Sequence, residues 1–305
     1  MFASFNARAV GLASITAEQT IDLAAGAGFE GVDLLVRDLI RAGDDPKTIR
    51  ARMDDRGLRA GAFPLPVEWR DDEGSFRRDL DALPALAEVA AALGLTRTGT
   101  WVMPEIPDRA TPRAEVVALH VRRLGAIARA LDDHGIRLGL EVIGVESSRS
   151  GCGEPFVARM ADLGPLLAAI QAEAPSVGIL IDAFHLHAAG EPIEAGLAWG
   201  VGRIVWAHVA DLPSGASRDR SRIVDADRGL PGENGAVDVA AFLGMLERRG
   251  YDGPVMSEPM ARCRSLAGLS PDRVARRVKE TLDAAWPAPK GGPAGRIILG
   301  PADQG

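Results

Sequence analysis

RLGLEVIG (residues 137–144) and VGILIDAFH (177–185), joined across the amphipathic stretch Leu163–Glu173, decide how this chain folds. Both runs are almost continuously apolar, the pattern of strands buried on both faces, not of strands with one wet face. A helix between two such strands reads as a parallel crossover. The same unit recurs outward in both directions. Toward the N-terminus lie strands at Phe2–Asn6, GVDLLV (31–36), LRAGAFPLP (58–66) and TRTGTWVMP (96–104). The helices among them open at Thr16, with Gln19 completing a capping box, and at Asp45-Pro46; they stop at the glycines 26–28 and before Gly57. Two more run from Phe76 to Leu93 and from Thr111-Pro112 to His134. Toward the C-terminus come RIVWAHVA (203–210), a Gly- and charge-rich loop (211–235), a helix Val237–Arg249, GPVMSEPM (253–260) and a helix Ser270–Trp286. Eight strand–helix units predict an α/β chain closed into one (β/α)8 TIM barrel over residues 1–286. The competitor is an open doubly wound sheet, but no G-x-G-x-x-G follows the first strand, so its dinucleotide-binding version has no support. Residues 287–305, PAPKGGPAGRIILGPADQG, lie outside the repeat as a Pro/Gly-rich tail.

Composition narrows the function. With 47% hydrophobic and 25% charged residues in 305, the chain is an ordinary globular protein with length enough for a full core. The apolar runs, such as Val177–Ile181, fall far short of the roughly 20 residues that span a bilayer. The start, MFASFNARAV, has an arginine where a secretory signal would be greasy, and Cys152 and Cys263 are too few for a disulfide framework. A cytoplasmic protein is therefore expected. A formal net charge of −7 excludes a partner gripped by a basic face, so no nucleic acid is expected, nor a membrane; a homo-oligomer is left open.

In such a barrel the active site lies at the C-terminal ends of the strands. The last four strands each carry a metal-capable side chain at or just past that end: Glu141, Asp182, His208 and Glu258. A carboxylate inside a run such as Val-Gly-Ile-Leu-Ile-Asp is unfavourable unless its charge is compensated, and a divalent cation is the simplest compensator. Two Glu, one Asp and one His form an oxygen-rich set with one imidazole, suited to a single Mn²⁺ above all, or to Mg²⁺, Co²⁺ or Zn²⁺. Each residue alone reads as readily as a cap, an ion-pair partner or a core histidine; four on consecutive strands do not. His185, three residues after Asp182, is expected beside that set, touching substrate or supporting the metal ligands, whereas His187 reads equally as a loop residue. His120 and His134 fall on the fourth helix and are expected at the surface. Arg228, ahead of the turn-forming Pro231-Gly232, either orients substrate oxygens or pairs with Asp225 or Asp227. Trp69 and Trp101, near the ends of strands three and four, either wall a sugar pocket or pack in the core. Cys152 and Cys263 are spectators.

These segments, most closely HVADLPSG, DADRGLPGENGAVD and GYDGPVMSEP, resemble the sugar phosphate isomerase/epimerase superfamily of xylose isomerase-like barrels, and within it inosose isomerases and ketose 3-epimerases. The resemblance covers the chain to about Trp286. It implies one divalent metal held by Glu141, Asp182, His208 and Glu258, with substrate contacts at His185 and Arg228. A further substrate-binding Glu of the epimerases would fall near Glu146, which is offset by one residue. The implied activity is a sugar isomerase or epimerase on a ketose or keto-inositol, Glu141 and Glu258 moving a proton through a metal-stabilised enediolate. Residues 58–70 and 96–110 contain no histidine, so the three-metal site of the superfamily's apurinic endonucleases is not expected. Three alternatives stay open: a lyase or dehydratase acting on a keto-sugar or oxidised glycoside with the same metal, a one-metal phosphodiesterase, and a non-catalytic sugar-binding barrel.

Overall fold

The computed structural model describes residues 1–287. Eight barrel strands run β1 (Phe2–Phe5), β2 (Gly31–Val32), β3 (in two pieces, Arg59–Ala60 and Phe63–Pro64), β4 (Arg97–Trp101), β5 (Arg137–Glu141), β6 (Gly178–Asp182), β7 (Ile204–Val209) and β8 (Pro254–Ser257). All neighbours pair in parallel, β1 closing onto β8 and running through β2 to the first piece of β3. The other direction runs β8, β7, β6, β5, β4 and then the second piece of β3. The two ends of the sheet are one interrupted strand, so the sheet is a closed barrel, as expected.

The interruption has a local cause. A side chain on Gly61 would place its Cβ 2.0 Å from Asp33 Oδ1 and 2.3 Å from Ser4 Oγ. The Ala62 N–H leaves the ladder and donates to Asp33 Oδ1 at 2.8 Å, while Ser4 Oγ donates to the same oxygen at 2.6 Å. Farther in, Ala62, Leu180, Trp206 and Met256 pack together across the barrel's interior. Gly99 on β4 leaves room for Leu180, whose Cδ1 would lie 2.5 Å from an added Cβ. That layer is a floor, and the strand ends above it carry the polar side chains.

Several expected boundaries shift. GVDLLV pairs only at Gly31–Val32, and a helix Val36–Ala42 takes over. VGILIDAFH stops being strand at Asp182, whose carboxylate caps a helix Ala183–Ala189 by accepting from the Phe184 N–H at 2.7 Å. His185 is therefore on a helical turn and not on the strand. The helix expected to end at His134 spans Arg113–Asp132. His120, expected at the surface, is buried in a slot between Trp69 and Phe156, its Nδ1 at 2.8 Å from the Val116 carbonyl. Burial lowers its pKa to about 4, so it is a neutral core residue. Half-buried His134 follows the helix end. Trp69 is a core residue too, and cannot wall a pocket. Of the Pro/Gly-rich tail, residues 288–305 lie outside the described residues. Among the described residues no helix is long and apolar enough to cross a membrane.

Candidate metal centre and its surroundings

Parallel register brings the four strand ends to one level. Asp182 pairs with His208 across β6–β7, and Val209 with Ser257 across β7–β8, where the Glu258 N–H continues the ladder onto the Val209 carbonyl at 2.9 Å. Glu141 is the last residue of β5. The outcome is a cluster in which one ligand atom from each of Glu141, Asp182, His208 and Glu258 lies within 4.8 Å of all the others. These side chains are 12%, 0%, 5% and 19% exposed respectively. The His208 ring stands edge-on to Trp206, centroids 4.4 Å apart, so the interior floor fixes its plane.

The donor set fits a divalent cation. Glu141 Oε1 and both ring nitrogens of His208 are buried without a hydrogen-bond partner, although His208 Nδ1 lies 3.2 Å from Glu258 Oε2 and 3.6 Å from Glu141 Oε1. Buried polar atoms left unpaired are rare, and a group of them converging on one point is the arrangement an ion would satisfy. Without an ion, protons and Arg228 balance the charge. Burial disfavours the imidazolium of His208, but the Glu258 and Glu141 carboxylates outweigh it and raise its pKa to about 10. Burial raises the Glu141 pKa. Asp182 goes the other way, to about 2, because Arg228, His185 and His208 overcome its desolvation. Glu258 is likewise held below the usual range against burial by His208 and Arg228.

Arg228 pairs with Asp225, one of the two partners its sequence position offers, and reaches the cluster carboxylates as well. Its buried guanidinium donates through Nη1 to Asp182 Oδ2 (2.7 Å) and Glu258 Oε2 (3.0 Å) and through Nη2 to Asp225 Oδ1 (2.6 Å). Nη2 also lies 2.9 Å from His185 Nε2, and the guanidinium stacks on Phe184 at 4.4 Å. The loop that carries it is held by Asp211, which directly follows the strand-seven run. That buried carboxylate accepts from the N–H groups of Leu212, Asn234, Gly235, Ala236 and Val237. His185 is buried beside the cluster, with the Gly144 N–H at 3.3 Å from its Nδ1. Glu146 is not brought in: it is exposed on the turn Glu146–Ser148 and lines an outer cleft with Arg149 and Arg159. His187 is half-buried and outside the cluster.

Beside the cluster a cleft of about 610 Å³ is lined by Arg70, Trp101, Met103, Pro104, Ile143 and Asp225, among others. Trp101 is the residue in register with Glu141 on the neighbouring strand, and its indole is 39% exposed. No feature of spacing in the sequence singles out Arg70.

Comparison with known proteins agrees with this architecture. The chain is 27% identical over 248 residues to 3-dehydroshikimate dehydratase of Pseudomonas putida, a match covering 80% of this chain and 36% of the relative. It thus spans about a third of the length of that relative. It is 23% identical over 191 residues to inosose isomerase of Halalkalibacterium halodurans, 61% of each chain. Among solved structures, a xylose isomerase domain protein from Alicyclobacillus acidocaldarius superposes with a TM-score of 0.79 at 28% identity, over 93% of this chain and 98% of that one. An IolI protein with a bound zinc atom gives 0.75 at 18% identity over the same shares, a likeness of fold. The model of the xylose isomerase-like TIM barrels matches residues 21–284, and the chain belongs to that family.

Proposed function

We propose that the chain is a divalent-metal-dependent enzyme that moves a proton at the carbon next to the carbonyl of a ketose or keto-cyclitol. The carrying observation is the pair Glu141 and Glu258, which flank His208 Nδ1 at 3.6 and 3.2 Å in unlike surroundings. Arg228 lies against Glu258 and favours its ionised form, whereas among the described residues no arginine lies against Glu141, whose pKa burial raises. Two carboxyl groups pushed apart in this way suit a base and an acid. Glu258 Oε2 takes the proton and Glu141 returns one, to the adjacent carbon for an isomerase or to the opposite face for an epimerase. Glu141, Asp182, His208 and Glu258 would hold the metal; when bound, it would polarise the substrate carbonyl and so acidify the neighbouring C–H. The Arg228 charge, held against Asp182 and Glu258 with His185 beside it, stabilises the negative charge that develops on the substrate oxygens in this buried site. Mn²⁺ is the ion of choice for this oxygen-rich set, with Mg²⁺, Co²⁺ and Zn²⁺ as its competitors.

A second reading shares the first step. Once the proton next to the carbonyl is removed, loss of a β-hydroxyl gives a dehydratase, and the dehydratase match covers more of this chain at higher identity than the inosose isomerase match. A panel of ketoses, inososes and cyclic 3-keto-hydroxy acids, followed by NMR in deuterated water with Mn²⁺, separates the two. Deuterium at the carbon beside the carbonyl without loss of water marks the isomerase or epimerase; an unsaturated product marks the dehydratase. Full turnover in excess chelator, or in Glu141→Gln and Glu258→Gln, contradicts both.

A further inference from the structure

Arg70 is placed at the cleft with more restraint than a surface arginine needs. Its side chain is 18% exposed. Nη1 donates to Thr100 Oγ1 and to the Trp101 carbonyl, both at 3.1 Å. The guanidinium lies 3.8 Å over the Trp101 ring and 5.0 Å from that of Trp69. Trp69 is in turn fixed, its Nε1 donating to the same Thr100 hydroxyl at 3.1 Å and its carbonyl receiving Arg123 Nη1 at 2.6 Å. The restraints spend Nη1 and the faces of the group. Nη2 meets Glu68 at 3.0 Å, a half-exposed carboxylate of the kind that contributes little, and Nε–H makes no hydrogen bond among the described residues. The remaining edge, Nε with Nη2, is the fork that receives a carboxylate in two parallel bonds, a ligand carboxylate there taking over Nη2 from the half-exposed Glu68.

The cleft supports the same reading. Among the described residues Arg70 is the only basic one lining it. Of its two acids, Glu105 is occupied by the Ser150 N–H and hydroxyl and the Gly151 N–H, and Asp225 by Arg228. Trp101, Met103, Pro104 and Ile143 make apolar walls that suit the face of a ring. One fixed positive charge matches a monoanion; a phosphate dianion calls for more than one. Trp101 links the two ends, since it carries Arg70 and stands in register with Glu141. We propose that this cleft takes a ring substrate bearing a carboxylate, and that Arg70 receives that carboxylate while the ring's keto and hydroxyl oxygens face the four-residue cluster. The proposal rests on the function argued above and narrows its substrate to cyclic keto acids.

The test uses the whole chain with Mn²⁺ and three probes: 3,4-dihydroxybenzoate, its neutral amide and 3,4-dihydroxyphenyl phosphate, with binding read calorimetrically. The wild type binds the carboxylate at least tenfold more tightly than the amide and no less tightly than the phosphate. In Arg70→Met that ratio falls to about one, the loss being confined to the carboxylate; Arg70→Lys retains part of it. The proposal is overturned by equal binding of carboxylate and amide to the wild type, by tighter binding of the phosphate, by no measurable carboxylate binding, or by an Arg70→Met loss shared equally by both probes. The wild-type ratio decides even where a variant fails to fold. Proton exchange on neutral ketoses without this discrimination sinks the carboxylate assignment alone. Absence of any proton exchange sinks the proposed function and leaves the binding ratio readable.

Discussion

Metal binding to this site is expected to be driven by pH through His208 in particular. Without metal, its ring sits between two carboxylates and its pKa is about 10. To hold a cation the His208 ring would have to be neutral, so its extra proton must leave. At pH 7 that is about three pH units below the pKa, and deprotonation costs about 4 kcal/mol at 1.36 kcal/mol per unit, a factor of about a thousand in affinity. The apparent dissociation constant for Mn²⁺ should therefore fall about tenfold per pH unit between pH 6.5 and 8.5, with about one proton released. Calorimetric titrations at four pH values, repeated in buffers of unlike ionisation enthalpy, measure both quantities. An ordinary imidazole, with its pKa near 6.5, would level off above pH 7 and release only a minor fraction of a proton. A flat affinity between pH 7 and 8 would refute the electrostatic reasoning. The sign carries over to stability. The raised pKa of His208 contributes stability to the metal-free fold that is fully present below about pH 6.5 and is lost as pH rises toward 10. Mn²⁺ at saturating concentration reverses that loss.

Three further outcomes follow from the same structure. Burial raises Asp33 from 3.8 to about 6, so its contribution is most favourable below pH 4 and worsens up to pH 6; Asp33→Asn should remove that slope and be more stable at pH 7 by up to about 3 kcal/mol, read by urea denaturation across pH 4–7. A loss of stability in Asp33→Asn at pH 7 would contradict this. Gly61→Ala meets Asp33 Oδ1 at 2.0 Å and Ser4 Oγ at 2.3 Å, so the midpoint of thermal unfolding should drop by the equivalent of about 2 kcal/mol or more, and an unchanged midpoint would show that β3 tolerates a side chain there. Arg228→Met leaves Asp182 and Glu258 buried without their cation, lowering metal-free stability by about 3–5 kcal/mol, and added Mn²⁺ should recover a larger share than it gives the wild type; equal gains would argue against a shared carboxylate site.

The amino-acid sequence discloses what is local and hides what is not. Closure into a barrel is legible because most strand runs are buried on both faces and several helices carry stop signals, such as Gly28 at the end of Ala17–Ala27. The positions Glu141, Asp182, His208 and Glu258 are legible for the same reason: in parallel strands of equal register, the ends lie at one level. Strand limits are not. Asp182 caps a helix with the same carboxylate that breaks the apolar run, and that double use looks from the sequence like continuing strand through His185. His120 is misplaced because an isolated helix does not show which polar residue faces a tryptophan brought in from another strand; here Trp69 arrives from the loop after β3. Glu146 fails by one residue of spacing, because the turn Glu146–Ser148 points it outward. Arg70 carries no signal at all, since its significance comes from Thr100 and Trp101, thirty residues farther along the chain.

In the proposed reaction Glu141 and Glu258 exchange a substrate proton at a carbon beside a carbonyl with the help of a divalent cation. The most direct test is ¹H NMR of the keto-substrate panel in deuterated water. Samples compare wild type with Mn²⁺, wild type with excess chelator, and Glu141→Gln and Glu258→Gln with Mn²⁺, each variant checked by circular dichroism. The proton signal next to the carbonyl should be lost in the first sample and retained in the other three. Exchange that survives the chelator or either substitution would contradict the proposed reaction.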